Sequence, residues 1–554
     1  MDGRTGGALL VEALERHGAE RVFCVPGESY LAVLDALHDA AIPVTVCRQE
    51  GGAAMMADAH GKLTGRPGIC MVTRGPGATN ASAGVHVAAQ DSTPMILFIG
   101  QIERGMRERE AFQEIDYRQM FGGIAKWVAE IDHADRVPEF ISRAWHVATS
   151  GRPGPVVLAL PEDMLVETAE ARQPPAWQQV ETYPGLTRMA DLQKRLWAAE
   201  RPVAILGGSR WSEEAVAAFT RFAERFDLPV ACSFRRQMLF DNLHPNYAGD
   251  VGIGINPKLL ERIKTSDLIL LVGGRLSEMP SQSYSLLGIP DPGRQLVHVH
   301  PDAEELGRVY RPDLAIHASP TAFCKAAEGL QPPAELKGAG EAERAHKDYL
   351  NWSGARPQTP GDLQMAGVMD WLEANLPEDA IMTNGAGNYA TWLHRFHRFR
   401  RFGTQAAPTS GSMGYGLPAA VAAKLAFPER EVVCFAGDGC LQMTMQEFGT
   451  ACQDGANIIV LVIDNGMYGT IRMHQERNYP GRPSATKLVN PDFAALARSY
   501  GAFGETVART VEFGPAFERA RAAGTPALLH LKLDPEAITP AASLSQIRAA
   551  AEGK

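Results

Sequence analysis

The stretch 431–469 reads EVVCFAGDGCLQMTMQEFGTACQDGANIIVLVIDNGMYG. An apolar run ends in Gly437-Asp438-Gly439, a helical stretch follows, and a second apolar run ends in Asp464-Asn465. Two successive parallel strands are thus predicted to end in Asp438 and Asn465, where open α/β sheets bind ligands. Gly437 and Gly439 permit a tight turn and close backbone approach. The helix that follows turns its first N–H groups toward an anion, which suits a diphosphate. Asp438 and Asn465 offer the oxygen ligands that a hard Mg²⁺ requires, and a main-chain carbonyl near Met467 offers a third. A lone Gly-Asp-Gly is a common turn. Followed after 24 residues by an Asx pair, with helix and strand between, it is a metal and diphosphate constellation.

Such residues need sheets to carry them. Short apolar runs bounded by Gly or Pro recur at 21–25, 68–73, 95–99, 156–160, 202–206, 268–272, 431–436 and 457–463. They read as buried parallel strands. Amphipathic stretches such as 7–17 and 491–500 lie between them, and the alternation predicts doubly wound α/β domains. The 554 residues allow three or four domains at roughly 150 residues each. Two stretches read as linkers: 172–186 (RQPPAWQQVETYPGL) and the polar 331–362. Cutting there leaves an N-terminal domain 1–171, a central domain 187–330 and a C-terminal domain 360–535. The Ala-rich tail 536–554 suits a short docking helix.

At 45% hydrophobic and 21% charged, the chain can bury several full-sized cores. A net charge of −10 with no long basic run argues against nucleic acid as a partner. No stretch reaches the ~18 apolar residues of a membrane span, so no membrane partner is expected. The eight cysteines are scattered without a CxxC pair. They suggest neither a zinc site nor a disulfide framework and fit a reduced, cytoplasmic setting.

The 431–469 segment resembles the diphosphate motif of thiamine-diphosphate (ThDP) enzymes, Gly-Asp-Gly followed about two dozen residues later by Asn-Asn. Asp464 stands in the first Asn position, and Asn465 keeps the second, the metal ligand. The resemblance implies ThDP and Mg²⁺ as cofactors, with Asp438, Asn465 and Met467 as metal ligands. It places Gly437, Gly439, Cys440 and Tyr468 around the diphosphate. ThDP chemistry also needs a Glu that shares a proton with the aminopyrimidine ring, and a cofactor whose electronics the protein tunes. VTVCRQEGGAAMMADAHGKLTGRPG (44–68) supplies Glu50 after an apolar strand and before a small-residue helix. This is similar to the glutamate segment of the acetolactate synthase branch, and it makes Glu50 the implied activator.

Further motifs follow the same branch. VPGES (25–29) resembles the loop over the pyrimidine, with Pro26 and Gly27, and Thr73 joins the implied cofactor contacts. GPGATN gives Gly75 and Asn80 near the cofactor, and AFQEID (111–116) gives Gln113 near its thiazolium. IAKW (124–127) places Lys126 where the branch often has a pocket lysine. GAGN supplies Gly385, Gly387 and Asn388 for the diphosphate. GSMGYGLPAA (411–420) resembles the segment that bends the cofactor, with Gly411 and Met413 against its rings. In this family the glutamate domain and the diphosphate domain of one site come from different subunits. The resemblance therefore implies a homodimer at least, and often a dimer of dimers.

Three residues depart from the acetolactate synthase pattern. Gln49 replaces the usual His before Glu50. Met279 replaces an Arg that grips the acceptor carboxylate. His474 replaces a Trp nine residues after the metal Asn. A lost bidentate carboxylate clamp is not conservative. The expected reaction is carboligation: decarboxylation of a 2-keto acid and transfer of the resulting acyl carbanion to a second carbonyl. Gln113, Gln49 and His474 are the candidates to steer its outcome. A plain 2-keto acid decarboxylase, a 2-hydroxyacyl-CoA lyase and a non-catalytic paralogue that keeps the fold remain as alternatives. The strands before Gly207-Gly208 and Gly273-Gly274 leave the central domain open between FAD, ADP, CoA and no ligand.

Overall fold

The computed structural model describes residues 3–553. Three six-stranded sheets, every strand pair parallel, follow one another along the chain. The N-terminal sheet holds β1 (Val22–Cys24), β2 (Val44–Val46), β3 (Gly68–Val72), β4 (Met95–Gln101), β5 (Trp127–Glu130) and β6 (Pro155–Pro161), in the order β2-β1-β3-β4-β6-β5. The central sheet holds β7 (Pro202–Leu206), β8 (Val230–Ser233), β9 (Tyr247–Val251), β10 (Leu268–Val272), β11 (Gln295–His300) and β12 (Leu314–His317), in the order β9-β8-β7-β10-β11-β12. The C-terminal sheet holds β13 (Ile381–Asn384), β14 (Gln405–Ala406), β15 (Val432–Gly437), β16 (Ile459–Asp464), β17 (Phe503–Val507) and β18 (Ala527–Lys532), in the order β14-β13-β15-β16-β18-β17.

Every residue of β3, β4, β6, β7, β10, β15 and β16 is buried, as strands covered by helices on both faces require. That burial is why these strands read as continuous apolar runs. Strand order reverses near the middle of each sheet, between β1 and β3, β7 and β10, and β13 and β15. Each reversal opens a crevice at the strand ends.

The helices that matter for the site lie at two of these crevices. In the N-terminal unit α1 (Glu50–Thr64) follows β2 and α2 (Pro76–Asp91) follows β3. Both end at left-handed residues, Gly65 and Ser92. Their backbones touch where Gly84 meets Ala54. In the C-terminal unit lie α3 (Gly416–Ala426), α4 (Asp438–Leu441), α5 (Glu447–Gln453) and α6 (Gly469–Asn478). The small-residue helix α3 packs on α1, so the two units share one core.

The polar stretch 331–362 carries a helix, Glu341–Gly354, whose Tyr349 packs edge-on against Tyr247 at 4.7 Å. Its buried stripe of Ala342, Ala345, Tyr349 and Ser353 is hidden among charged residues. The tail forms α7 (Leu544–Ala551), which docks on α6 through Leu544 and Ile547 against Met473. Arg548 seals the contact on buried Glu476, at 2.6 and 2.8 Å. Among the described residues no helix is long and apolar enough to cross a membrane.

A Cβ at residue 84 would lie 2.7 Å from the Ala54 carbonyl carbon and 2.9 Å from the Met55 nitrogen. Gly84→Ala therefore forces α1 and α2 apart and costs about 1–3 kcal/mol. Thermal unfolding should show the N-terminal unit melting a few degrees lower.

Candidate active site

Two crevices each gather one group of the expected residues. In the N-terminal unit the loops after β1 and β3 lie on one another because Gly27 has no side chain. A Cβ there would stand 2.8 Å from Thr73 Oγ1, which is itself bonded to Ser29 Oγ at 2.8 Å. Pro26 is exposed next to it. Gly75, at φ +62°, donates its N–H to the Tyr117 hydroxyl at 2.9 Å. Gln113, also left-handed at φ +67°, lies so near that a Cβ on Gly75 would fall 2.7 Å from its own.

Glu50 is the first residue of α1 and is half-buried. Its Oε2 accepts a hydrogen bond from Asn80 Nδ2 at 2.9 Å. Gly77 leaves room for Oε1, since a Cβ at 77 would lie 3.4 Å from it. Gln49 behaves differently: its Oε1 accepts from the Gly52 N–H at 3.0 Å and caps α1. From the C-terminal unit, Glu447 accepts from the Arg48 N–H at 3.2 and 3.3 Å and anchors the same helix start. Burial lifts the Glu447 carboxyl above its usual range.

The second group surrounds a cavity of about 240 Å³ at the ends of β13, β15 and β16. Gly387, Asn388, Gly437, Asp438, Gly439, Cys440, Asn465, Met467 and Tyr468 line it, with exposed Gly411 and half-buried Met413 at its rim. The glycines are dictated by two tyrosine rings. A Cβ at Gly387 or Gly437 would come 2.7 Å from the Tyr389 ring, and one at Gly439 would come 2.7 Å from Tyr468. Tyr389 donates its O–H to Cys440 Sγ at 3.1 Å and accepts from the Gly385 N–H at 3.2 Å. The Gly414 N–H donates to the same sulfur at 3.1 Å. Asn388 donates its N–H to Thr470 Oγ1 at 3.0 Å and accepts that hydroxyl at Oδ1 at 2.9 Å.

Beneath the cavity Asn490 bridges two carboxylates, donating to Asp438 Oδ2 and Asp464 Oδ1 at 2.7 Å each. Asp464 also accepts from His530 Nε2 and Lys532 Nζ, both at 2.7 Å, and from the Gly466 N–H at 3.0 Å. Burial raises the Asp464 carboxyl, but the bonds from His530, Lys532 and Asn490 outweigh it and hold the group well below the usual carboxylate range. The Asp in the first position of the pair is thus a charge with its own cation. At Asp438 burial, together with the charge of Asp464, pushes the carboxyl up to about 6. A cation beside it would reverse that cost. Asp438 can offer a carboxylate here, Asn465 an amide oxygen and Met467 a main-chain oxygen, a set that fits a hard divalent ion taking its remaining ligands from a bound diphosphate.

The two groups are separate within one chain: no residue of the Glu50 group lines the cavity of the Asp438 group. His474 lies outside both, exposed on α6. Arg472 beside it is paired with Glu476. Lys126 donates to the Val147 and Ser150 carbonyls at 2.6 and 2.7 Å, capping a helix end, and burial lowers it to about 8. In the central unit a Cβ at Gly208 would fall 2.7 Å from the Gly273 carbonyl carbon. The packing of the two turns on each other therefore already demands that glycine. Sequence reasoning missed Tyr389, Asn490, His530 and Lys532. His530 and Lys532 left a trace, as polar residues at alternate positions of an otherwise apolar strand. Asn490 left none.

Comparison with known proteins supplies the class. Residues 4–120 match the thiamine pyrophosphate enzyme N-terminal TPP binding domain, 189–327 the central domain of the same enzymes, and 385–531 their C-terminal TPP binding domain. The chain belongs to the thiamine pyrophosphate enzyme family, and it is a ThDP-dependent enzyme. Its relatives include the acetolactate synthase large subunit of Corynebacterium glutamicum, 31% identical over 93% of this chain and 84% of that one. They also include the acetolactate synthase isozyme 2 large subunit of Escherichia coli, 30% identical over 96% and 95%. A third is the acetolactate synthase large subunit of Parasynechococcus marenigrum, 32% identical over 90% and 83%. Within the family the chain is acetolactate synthase-like.

Asp464→Ala strips a shared acceptor from His530, Asn490, Lys532 and Gly466. The loss should destabilise the ligand-free protein by about 2–4 kcal/mol in chemical denaturation. Asp464→Asn keeps one acceptor oxygen and should cost about half as much.

Proposed function

We propose that this enzyme is a ThDP- and Mg²⁺-dependent carboligase that decarboxylates a small 2-keto acid and joins the acyl unit to a second carbonyl. The observation that carries this reading is the cavity at the β13/β15 crevice, where Asp438, Asn465 and Met467 meet glycine-rich strand ends. Support also comes from relatives that are acetolactate synthases. Bound ThDP supplies the electron sink for the pair released when the C–C bond breaks. In this reading Asp438, Asn465 and the Met467 carbonyl hold Mg²⁺. Main-chain groups of residues 385–388 and 437–440 receive the diphosphate, and Gly411 and Met413 lie against the rings. Ile463, Leu533 and Ile538 supply apolar wall that excludes water from the reacting atoms.

Glu50 handles the activating proton. Asn80 occupies Oε2, which leaves Oε1 for a ring nitrogen of the aminopyrimidine. Because the Glu50 group does not line the cavity of its own chain, Glu50 acts on the cavity of a second copy. The working unit is then a homodimer, with a tetramer as a pair of such dimers. Phe112 at 73% exposure, near Gln113, and Ile471 at 56%, on the cavity wall, are apolar surface for that contact. The glycine pairs of the central unit are accounted for by turn packing, and FAD has no step in the reaction.

The protein supplied with ThDP, Mg²⁺ and pyruvate should consume pyruvate and form acetolactate, as read by NMR, and Glu50→Ala should not. Acetaldehyde in its place would assign a decarboxylase, and failure to bind ThDP by calorimetry would remove the reading. Mixing inactive Glu50→Ala with inactive Asp438→Ala should restore about a quarter of wild-type activity, since half the dimers then hold one intact site. No recovery after verified subunit exchange would place both groups of a site in one chain.

A further inference from the structure

A second set of charges lies at the far end of α1 and α2, and neither the metal nor the proton chemistry uses it. Lys62 on α1 and Asp91, the last residue of α2, form an ion pair whose side chains are 1% and 0% exposed. Asp58, one turn before Lys62 and also 0% exposed, stands 3.2 Å from the same ammonium. Taking such groups out of water is costly, and the cost is met only where geometry and hydrogen bonds are complete. Nearly every remaining bond goes to one segment of the C-terminal unit.

Lys62 Nζ donates to the Ala407 carbonyl at 3.1 Å and to the Tyr415 hydroxyl at 3.0 Å. Tyr415 in turn donates to Asp58 Oδ2 at 2.6 Å. Asp91 Oδ1 accepts from the Thr409 N–H at 2.8 Å, the Thr409 hydroxyl, and the Ser410 N–H at 3.2 Å. Arg235 of the central unit donates to the carbonyl of Pro408, between them. The segment 407–410 is therefore clamped residue by residue. It leads directly into Gly411 and Met413 at the cavity rim, and Gly414 anchors on Cys440.

We propose that the buried Lys62–Asp91 pair is a positioning device for the segment 407–414. Through it, the N-terminal unit fixes Gly411 and Met413 in the cavity of its own chain. The inference rests on the reading of that cavity as the ThDP site. It gives α1 two duties: Glu50 at its first turn serves a second copy, and Lys62, about 18 Å further along at 1.5 Å per residue, serves the first.

Hydrogen–deuterium exchange on the full chain tests the clamp without needing turnover. In Asp91→Asn, peptides covering 407–414 should exchange about tenfold faster, while peptides over β15 and β16 keep wild-type rates. In turnover the same variant should lose about tenfold in kcat with KM nearly unchanged, the mark of a misplaced rim rather than lost binding. Thr409→Val, which removes only the hydroxyl bond, should give a smaller acceleration confined to the same peptides, and Thr409→Ser should restore wild-type rates. This pair carries the test if Asp91→Asn does not fold. Wild-type exchange over 407–414 in folded Asp91→Asn, or in Thr409→Val, would overturn the proposal. So would equal acceleration in all three units, which would make the pair a general stabiliser. If the wild-type protein binds no ThDP, the cavity reading fails, while the exchange result still decides whether the clamp exists.

Discussion

A parallel strand buried on both faces has its side chains committed to packing, so a chain built from such strands presents reactive groups mainly where the strands end. The three sheets repeat that constraint. Each has a reversal of strand order near its middle, where a crevice opens at the carboxyl ends. The chain uses the crevices differently. One receives Glu50, Asn80 and Gln113, another Asp438, Asn465 and Met467. In the third, the glycine turns pack against each other. The distance between the first two is a consequence of the fold, because each crevice belongs to its own sheet.

Charge follows the same economy. Asp464 would be an expensive neighbour for a buried Asp438 if it stood alone. His530 and Lys532, two residues apart on the adjacent strand, meet it with two donors, and Asn490 ties both carboxylates into one network. The change from the usual Asn is therefore matched on the neighbouring strand, and the metal-facing residue keeps its position. Met279 has a comparable setting. It lines a small cleft where the central unit meets the N-terminal one, together with Arg152, Arg236 and Arg275, so the cleft is not short of cations.

Much of this was legible in the sequence because strands covered on both faces leave continuous apolar runs. β7 and β10 span the residues that their runs predict, and the Gly-Asp-Gly and Asp-Asn pairs fall at the strand ends as expected. What escaped were contacts made by residues distant in sequence. Asn490 reaches Asp438 across 52 positions, and no local pattern announces it. The stretch of the helix Glu341–Gly354 reads as linker because charge masks its apolar stripe. The backbone also claims side chains in ways that residue type and position do not announce. Gln49 is spent on capping α1, and Lys126 on the carbonyls at a helix end. His474 has the right distance along the chain from Asn465 but points from the exposed side of α6.

The helix pair α1–α2 shows why so many small residues lie between the reactive ones. Glu50 and Asn80 meet at one end of the pair, and Lys62 and Asp91 at the other. Between them the two backbones touch at Gly84 and Ala54, closer than any larger side chain allows. A pair of helices packed at backbone contact has little freedom to slide or tilt, so a polar bond fixed at one end constrains the other. Had the interface been built from large flexible side chains, each end would have been free to settle on its own, and the glutamate would have lost its fixed relation to the cavity rim. The alanines and glycines of α1 thus do more than fill a core, because close contact is what makes one rigid body of the polar groups at its two ends.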